Sequence, residues 1–220
     1  MSGAVIRSVF TRYAVAWFYL VAVTGAEIVF VLLSRRDRTD LLSWASTSVH
    51  NLEHDPLTCL AVSAFFPQAS LIVWPAVIAL AVFGANHMLG NWRTAVTCAA
   101  GQVIGTIVSE GIVGYRVSHG ALPPAARYLI DVGPSYVVVS AIAVALLYGG
   151  WLVRAAAALD LLLLIFIGDI FSGFSRLAVA PVGHATALGV GALLGGLLVW
   201  QRSHASEPSA AGQTAASAPD

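Results

Sequence analysis

The chain has 220 residues, of which 58% are hydrophobic and only 10% charged, and its mean hydropathy is +0.83. Soluble globular domains do not carry that balance, and apolar stretches of bilayer-spanning length recur along the chain, so the class is a polytopic membrane protein. Eleven basic and eleven acidic residues cancel, which removes any electrostatic case for nucleic acid or another polyanion as a partner.

In chain order, residues 1–12 form a short N-terminal segment, expected to be cytoplasmic. Arg7 and Arg12 then precede the first apolar stretch, 13–33. It runs on without a small-residue cleavage site, so a retained span is expected rather than a signal peptide. Five further spans are expected near 69–88, 94–115, 132–148, 151–169 and 181–200, all helical because lipid offers backbone groups no outside partner. The fourth is short, and polar residues interrupt the third and fifth. Together they make one six-helix domain over 13–200.

Segment 34–56 is polar, but Leu41, Leu42 and Trp44 point to a piece lying in the membrane interface. Pro56 opens a short apolar helix, 57–66, closed by Pro67 and Gln68. Loop 116–131 carries Pro123-Pro124 and leads to Asp131, where a cap for the fourth helix is expected. Residues 201–220 are rich in Ala, Ser, Pro and Gly and read as a disordered tail. Cys59 and Cys98 lie in apolar contexts, as buried thiols rather than a disulfide. Gly101-xxx-Gly105 and Gly191-xxx-Gly195 read as close-packing motifs between helices. Charge leaves the orientation open. With the N-terminus inside, five arginines (7, 12, 93, 154, 202) face six (35, 36, 38, 116, 127, 176). All basic residues are Arg, which fits a GC-rich genome, and the expected location is a cell membrane, as a multi-pass protein of a bacterial plasma membrane.

Two short motifs carry chemistry. Ser135 follows Gly133-Pro134 at the start of the fourth span, and His184 follows Gly183 near the start of the sixth. The two spans run in the same direction, so both starts lie at one membrane face. A serine hydroxyl needs a base to become a nucleophile, and histidine is the usual one. The free amides of a helix's first turn, and its dipole, suit a developing oxyanion. The bland alternatives are an N-cap serine and a buried polar histidine.

With these residues in view, the chain resembles the rhomboid intramembrane serine proteases over the six-span core. That family carries Gly-x-Ser-Gly at the fourth span and Ala-His-x-x-Gly-x-x-x-Gly in the sixth. Gly133-Pro134-Ser135 matches the first three positions of the former. Gly183-His184, Ala187 and Gly191 follow the spacing of the latter with small residues. Leu89-Gly90 is similar to the family's Leu-Gly step, and segment 34–56 to its first loop. The resemblance implies an all-α rhomboid-like bundle of six transmembrane helices, with Ser135 as nucleophile and His184 as base. It implies oxyanion donation from the backbone of Ser135 or Tyr136, no cofactor, and a membrane-spanning protein substrate met within the lipid bilayer.

The departures point to a divergent branch. Tyr136 replaces the glycine after the serine. The positions of the second-span His and Asn fall on Ser70 and Trp74, and the ring that packs under the histidine falls near Val139. A pseudoprotease that binds a membrane-helix client without cutting it is therefore the nearest rival. A small transporter using the intramembrane carboxylates is the third reading. For Glu27, Glu110, Asp160 and Asp169, capping or hydrogen-bonded packing is favoured over an ion path. His50, Glu53 and His54 form an H-x-x-E-H pattern that matches an inverted zinc-protease motif. Pro56 argues against the continuous helix such a site needs, and a solvated loop cluster is the expectation, with no metal bound.

Overall fold

The computed structural model describes residues 3–67 and 73–205, and among these residues every regular element is a helix. Ten α-helices follow one another: α1 (Gly3–Arg12), α2 (Ala14–Leu32), α3 (Arg35–Ala45), α4 (Val49–His54), α5 (Pro56–Ser63), α6 (Val73–Leu89), α7 (Asn91–Ser118), α8 (Ser135–Tyr148), α9 (Trp151–Phe166) and α10 (Val179–Ala205). Six of them, α2 and α6 to α10, coincide with the six apolar stretches. Three of these, Ala14–Leu32, Asn91–Ser118 and Val179–His204, are long and apolar enough to cross a membrane; Val73–Leu89 and Ser135–Tyr148 are apolar but shorter.

Several boundaries differ from the sequence reading. α10 runs to Ala205, five residues into the stretch read as tail, because Gln201–Ala205 holds good helix formers and neither Gly nor Pro. α9 stops at Phe166, and Asp169 lies beyond it with a left-handed φ of 51°, so it belongs to a loop rather than to a span. Segment 34–56 is more ordered than a loop. It forms α3 and α4, whose caps Ser34 and Ser48 accept from the amides of Asp37 and Asn51. Asp55 caps α5 in the same way through Thr58, with Pro56 in its first turn.

The bundle is built around α8. It packs against α6, α7, α9 and α10, and every residue from Tyr136 to Ala145 is buried. At 1.5 Å per residue its 14 residues reach about 21 Å, against about 42 Å for α7 and about 40 Å for α10. A helix shorter than the ~30 Å hydrocarbon layer is tolerated when protein surrounds it.

Close approach around α8 comes from missing side chains. A Cβ at Gly101 would meet Ser140, and one at Gly105 would lie 3.3 Å from the Tyr136 ring. On α10, a Cβ at Gly183 would run into that ring, one at Gly191 into the Ser140 backbone, and one at Gly195 into Val144. Both glycine pairs therefore pack as the sequence indicates, and their shared partner is α8. Ala187 is fully buried in the same contact.

Polarity is distributed inside out. Phe18, Val21, Leu32, Trp151 and Phe166 face outward, whereas Thr94, Thr106, Ser109, Glu110, Ser140 and Asp160 are buried. Cys59 and Cys98 are buried free thiols. Polar contacts then lock the helix ends. At one end, Asn86 and Asn91 donate to the carbonyls of Arg12 and Thr11, and Tyr13 bonds His87. At the other, the Thr47 amide donates to the Asp131 carbonyl and the Gly133 amide to that of Ser63.

Replacing Gly191 by Val should lower the thermal midpoint in detergent by the equivalent of ~1–3 kcal/mol, an overpacking cost. Gly189, which has no atom within 4 Å of its would-be Cβ, should accept Ala with an unchanged midpoint.

Candidate functional site

Ser135 is the first residue of α8, after Pro134 in the capping position, and no side chain caps that end. The first-turn amides therefore have no helical acceptor. Gly133 adopts a φ of 149°, awkward for any residue with a Cβ, while its amide anchors the turn to α5. Ser135 lines a narrow polar crevice with Thr47, Ser63, Gln102 and Asp131.

His184 stands in the second turn of α10 and is buried. Its Nδ1 lies 2.7 Å from the Ile170 carbonyl, in the loop after α9. An imidazole facing a carbonyl must carry its proton there, which leaves Nε2 with a lone pair. Nε2 has no hydrogen-bond partner among the described residues, so Ser135 and His184 are not hydrogen-bonded to each other.

Tyr136 follows Ser135 on α8 and packs against His184. Its ring fills the slot offered by Gly105 and Gly183 and meets the His184 ring edge-on, with centroids 5.2 Å apart and planes at 78°. Its hydroxyl donates to Asp131 Oδ2 at 2.9 Å. The position where the family's ring would fall, Val139, is a core valine, and the rings beside the histidine are those of Tyr136 and, at 6.4 Å, Phe171. Asp131 does not cap α8. It accepts from Tyr136 and, at 3.4 Å, from Thr47, while its amide donates to Ser46. Burial holds the Asp131 carboxyl above the usual carboxylate range, and the Tyr136 and Thr47 hydrogen bonds offset part of that.

The other sequence candidates separate from this site. His50 and His54 lie on one short helix, α4, with ring centroids 4.2 Å apart, so Pro56 ends that helix without breaking the pattern. His54 Nδ1 bonds the His50 carbonyl, and Glu53 is paired with Arg127. That hydrogen bond lowers the Glu53 carboxyl below its ordinary range. Among the described residues no three metal-binding side chains converge. Glu27, Glu110 and Asp160 are buried on α2, α7 and α9; among the described residues their carboxylate oxygens meet no donor at ordinary hydrogen-bond geometry, although the Val49 amide is turned toward Glu110. Ser70 lies outside the described residues, and Trp74 is in the first turn of α6.

The residues missed from sequence are Gln102, Ser63, Thr47 and the Ile170 carbonyl. A glutamine in an apolar helix was a readable signal; the others depend on tertiary placement.

Comparison with known proteins agrees with this architecture. A family model described as rhomboid-like protein matches residues 5–204, almost the whole chain. The chain belongs to the rhomboid-like family, and its apolar helices make it a membrane protein. No curated protein and no solved structure matches it.

Because the half-buried Asp131 favours its neutral form in the fold, its contribution to stability is full at low pH and lost as pH rises through its folded pKa. The thermal midpoint should fall as pH climbs above about 4, and Asp131→Asn should remove that component. Glu53 acts in the opposite direction, losing its contribution as pH falls.

Proposed function

We propose that the protein is a six-span intramembrane serine protease of a bacterial plasma membrane. In this reading it hydrolyses a peptide bond in or beside a membrane-spanning substrate through Ser135 and His184. The observation that carries the reading is His184: a buried imidazole whose proton is committed to Ile170, leaving Nε2 as a free base at the head of the bundle where Ser135 opens α8. Ser135 Oγ attacks the scissile carbonyl and Nε2 takes its proton. The amides of Ser135 or Tyr136 stabilise the oxyanion, aided by the helix dipole. The imidazolium then protonates the leaving amine, and water activated by the same base hydrolyses the acyl-enzyme. Tyr136, in the first turn of α8, packs level with Gly105, well inside the C-terminal end of α7 at Ser118, which fits a bond cleaved within the membrane. The step that substrate must complete is the Ser135–His184 hydrogen bond, a contact commonly loose in unliganded enzymes.

A second reading, a pseudoprotease that holds membrane helices, draws support from that same unmade hydrogen bond and from Tyr136 standing where the family has glycine. The two separate on fluorophosphonate labelling in native-like membranes. A protease labels, and both Ser135→Ala and His184→Ala reduce the labelling rate by on the order of 10⁴-fold, to background. A folded wild type that stays unlabelled leaves the pseudoprotease.

A further inference from the structure

The charges of this chain cancel in total but not in place. At the end of the bundle where α2, α7 and α9 begin and α6, α8 and α10 finish stand Arg7, Arg12, Arg93, Arg154 and Arg202. Among the described residues no acidic side chain accompanies them, and the tail that follows adds only Glu207 and Asp220. At the opposite end the other six arginines are matched by Asp37, Asp40, Glu53, Asp55, Asp131 and Asp169. Two pairs form there, Arg36 with Asp40 and Arg127 with Glu53. The acid-free end also has a built centre. Asn86 and Asn91, on either side of the α6–α7 turn, hold the carbonyls of Arg12 and Thr11, and Arg202 Nη1 donates to the Met88 carbonyl at 2.6 Å. Arg93 follows Asn91 by two residues, so arginines from α1, α7 and α10 gather around one turn. Like charges brought together without an acid repel, and the arrangement favours an anionic occupant.

Three tryptophans mark the depth of this end. Trp92, Trp151 and Trp200 are 77%, 77% and 58% exposed, and each precedes an arginine by one to three positions. An exposed indole at the end of a membrane helix belongs at headgroup level, its ring toward the acyl chains and its N–H toward water. α1 has the pattern of a helix lying in that layer, with Arg7, Ser8 and Thr11 on one side and the exposed Val5 and Val9 on the other. We propose that this end of the bundle binds anionic phospholipids, whose headgroup phosphates are held by Arg12, Arg93 and Arg202 with Trp92 and Trp200 beside them. The binding is independent of the reading of Ser135 given above. A phospholipid is favoured over a nucleic acid because the tryptophans set the guanidinium groups at the level of the lipid phosphates, which an arginine fork matches. An anionic lipid is favoured over a zwitterionic one because a choline cation would add to the repulsion.

The test uses the full-length protein in phosphatidylcholine vesicles and reads tryptophan quenching as brominated phosphatidylglycerol or brominated phosphatidylcholine is titrated in. The brominated phosphatidylglycerol should quench at a mole fraction about fivefold lower, the worth of one arginine at a charged surface. The double variant Trp92→Phe, Trp200→Phe should remove most of that difference. Replacing Arg12, Arg93 and Arg202 together by Gln should bring the two lipids to parity, whereas Arg35→Gln, Arg36→Gln and Arg38→Gln at the other end should leave the difference intact. Because Arg202 also serves Met88, the wild type is read again in ~1 M sodium chloride, where screening over about 3 Å should likewise give parity without any substitution. Parity in the wild type at low salt would overturn the proposal. So would a preference that survives salt and the triple substitution, or one that follows Arg35, Arg36 and Arg38. Full displacement of the lipid by inorganic phosphate would assign the arginines to a free anion, and displacement by an oligonucleotide to a nucleic acid; either result overturns it as well.

Discussion

The short central helix is the constraint from which the rest follows. With 14 residues, α8 is shorter than the ~30 Å hydrocarbon layer, so it must be wrapped by neighbours that do not leave its ends in lipid. Wrapping without a hydrophobic drive between helices requires van der Waals contact, which glycines on α7 and α10 permit. Tyr136 and Ser140 then fill the space left by Gly101, Gly105, Gly183 and Gly191. The same contacts that bury α8 bring Tyr136 against His184 and leave Ser135 at the crevice.

One chain of contacts runs from the interfacial segment to the imidazole. The turn at Ser46 and Thr47, between α3 and α4, is bonded to Asp131; Asp131 accepts from Tyr136; Tyr136 packs against His184. The histidine is held from its other side by Ile170. The 34–55 segment is thereby linked to the imidazole through Asp131 and Tyr136 alone in this chain of contacts.

Much of the site was readable from local pattern. Gly133-Pro134-Ser135 marks a helix start by its own chemistry, and His184 among small residues marks a crowded helix face. The zinc-like H-x-x-E-H pattern was equally visible, yet its carboxylate is committed to Arg127, seventy-four positions away. The carboxylates of Glu27, Glu110 and Asp160 stand in similar relation: their positions were plain, but their burial inside the bundle was not.

Sequence by itself determined the membrane class, the helical fold, the small-residue faces and the placement of Ser135 and His184 near helix starts. These follow from composition, periodicity and capping chemistry, which act over a few residues. Tertiary structure alone decided that the Tyr136 ring meets the histidine, that Asp131 serves Tyr136 instead of capping α8, and that Gln102 of α7 reaches the crevice at Ser135. Those outcomes depend on the rotation of α8 against α7 and α10. That rotation is set by which bulky side chain fits which glycine slot, a match between residues tens of positions apart.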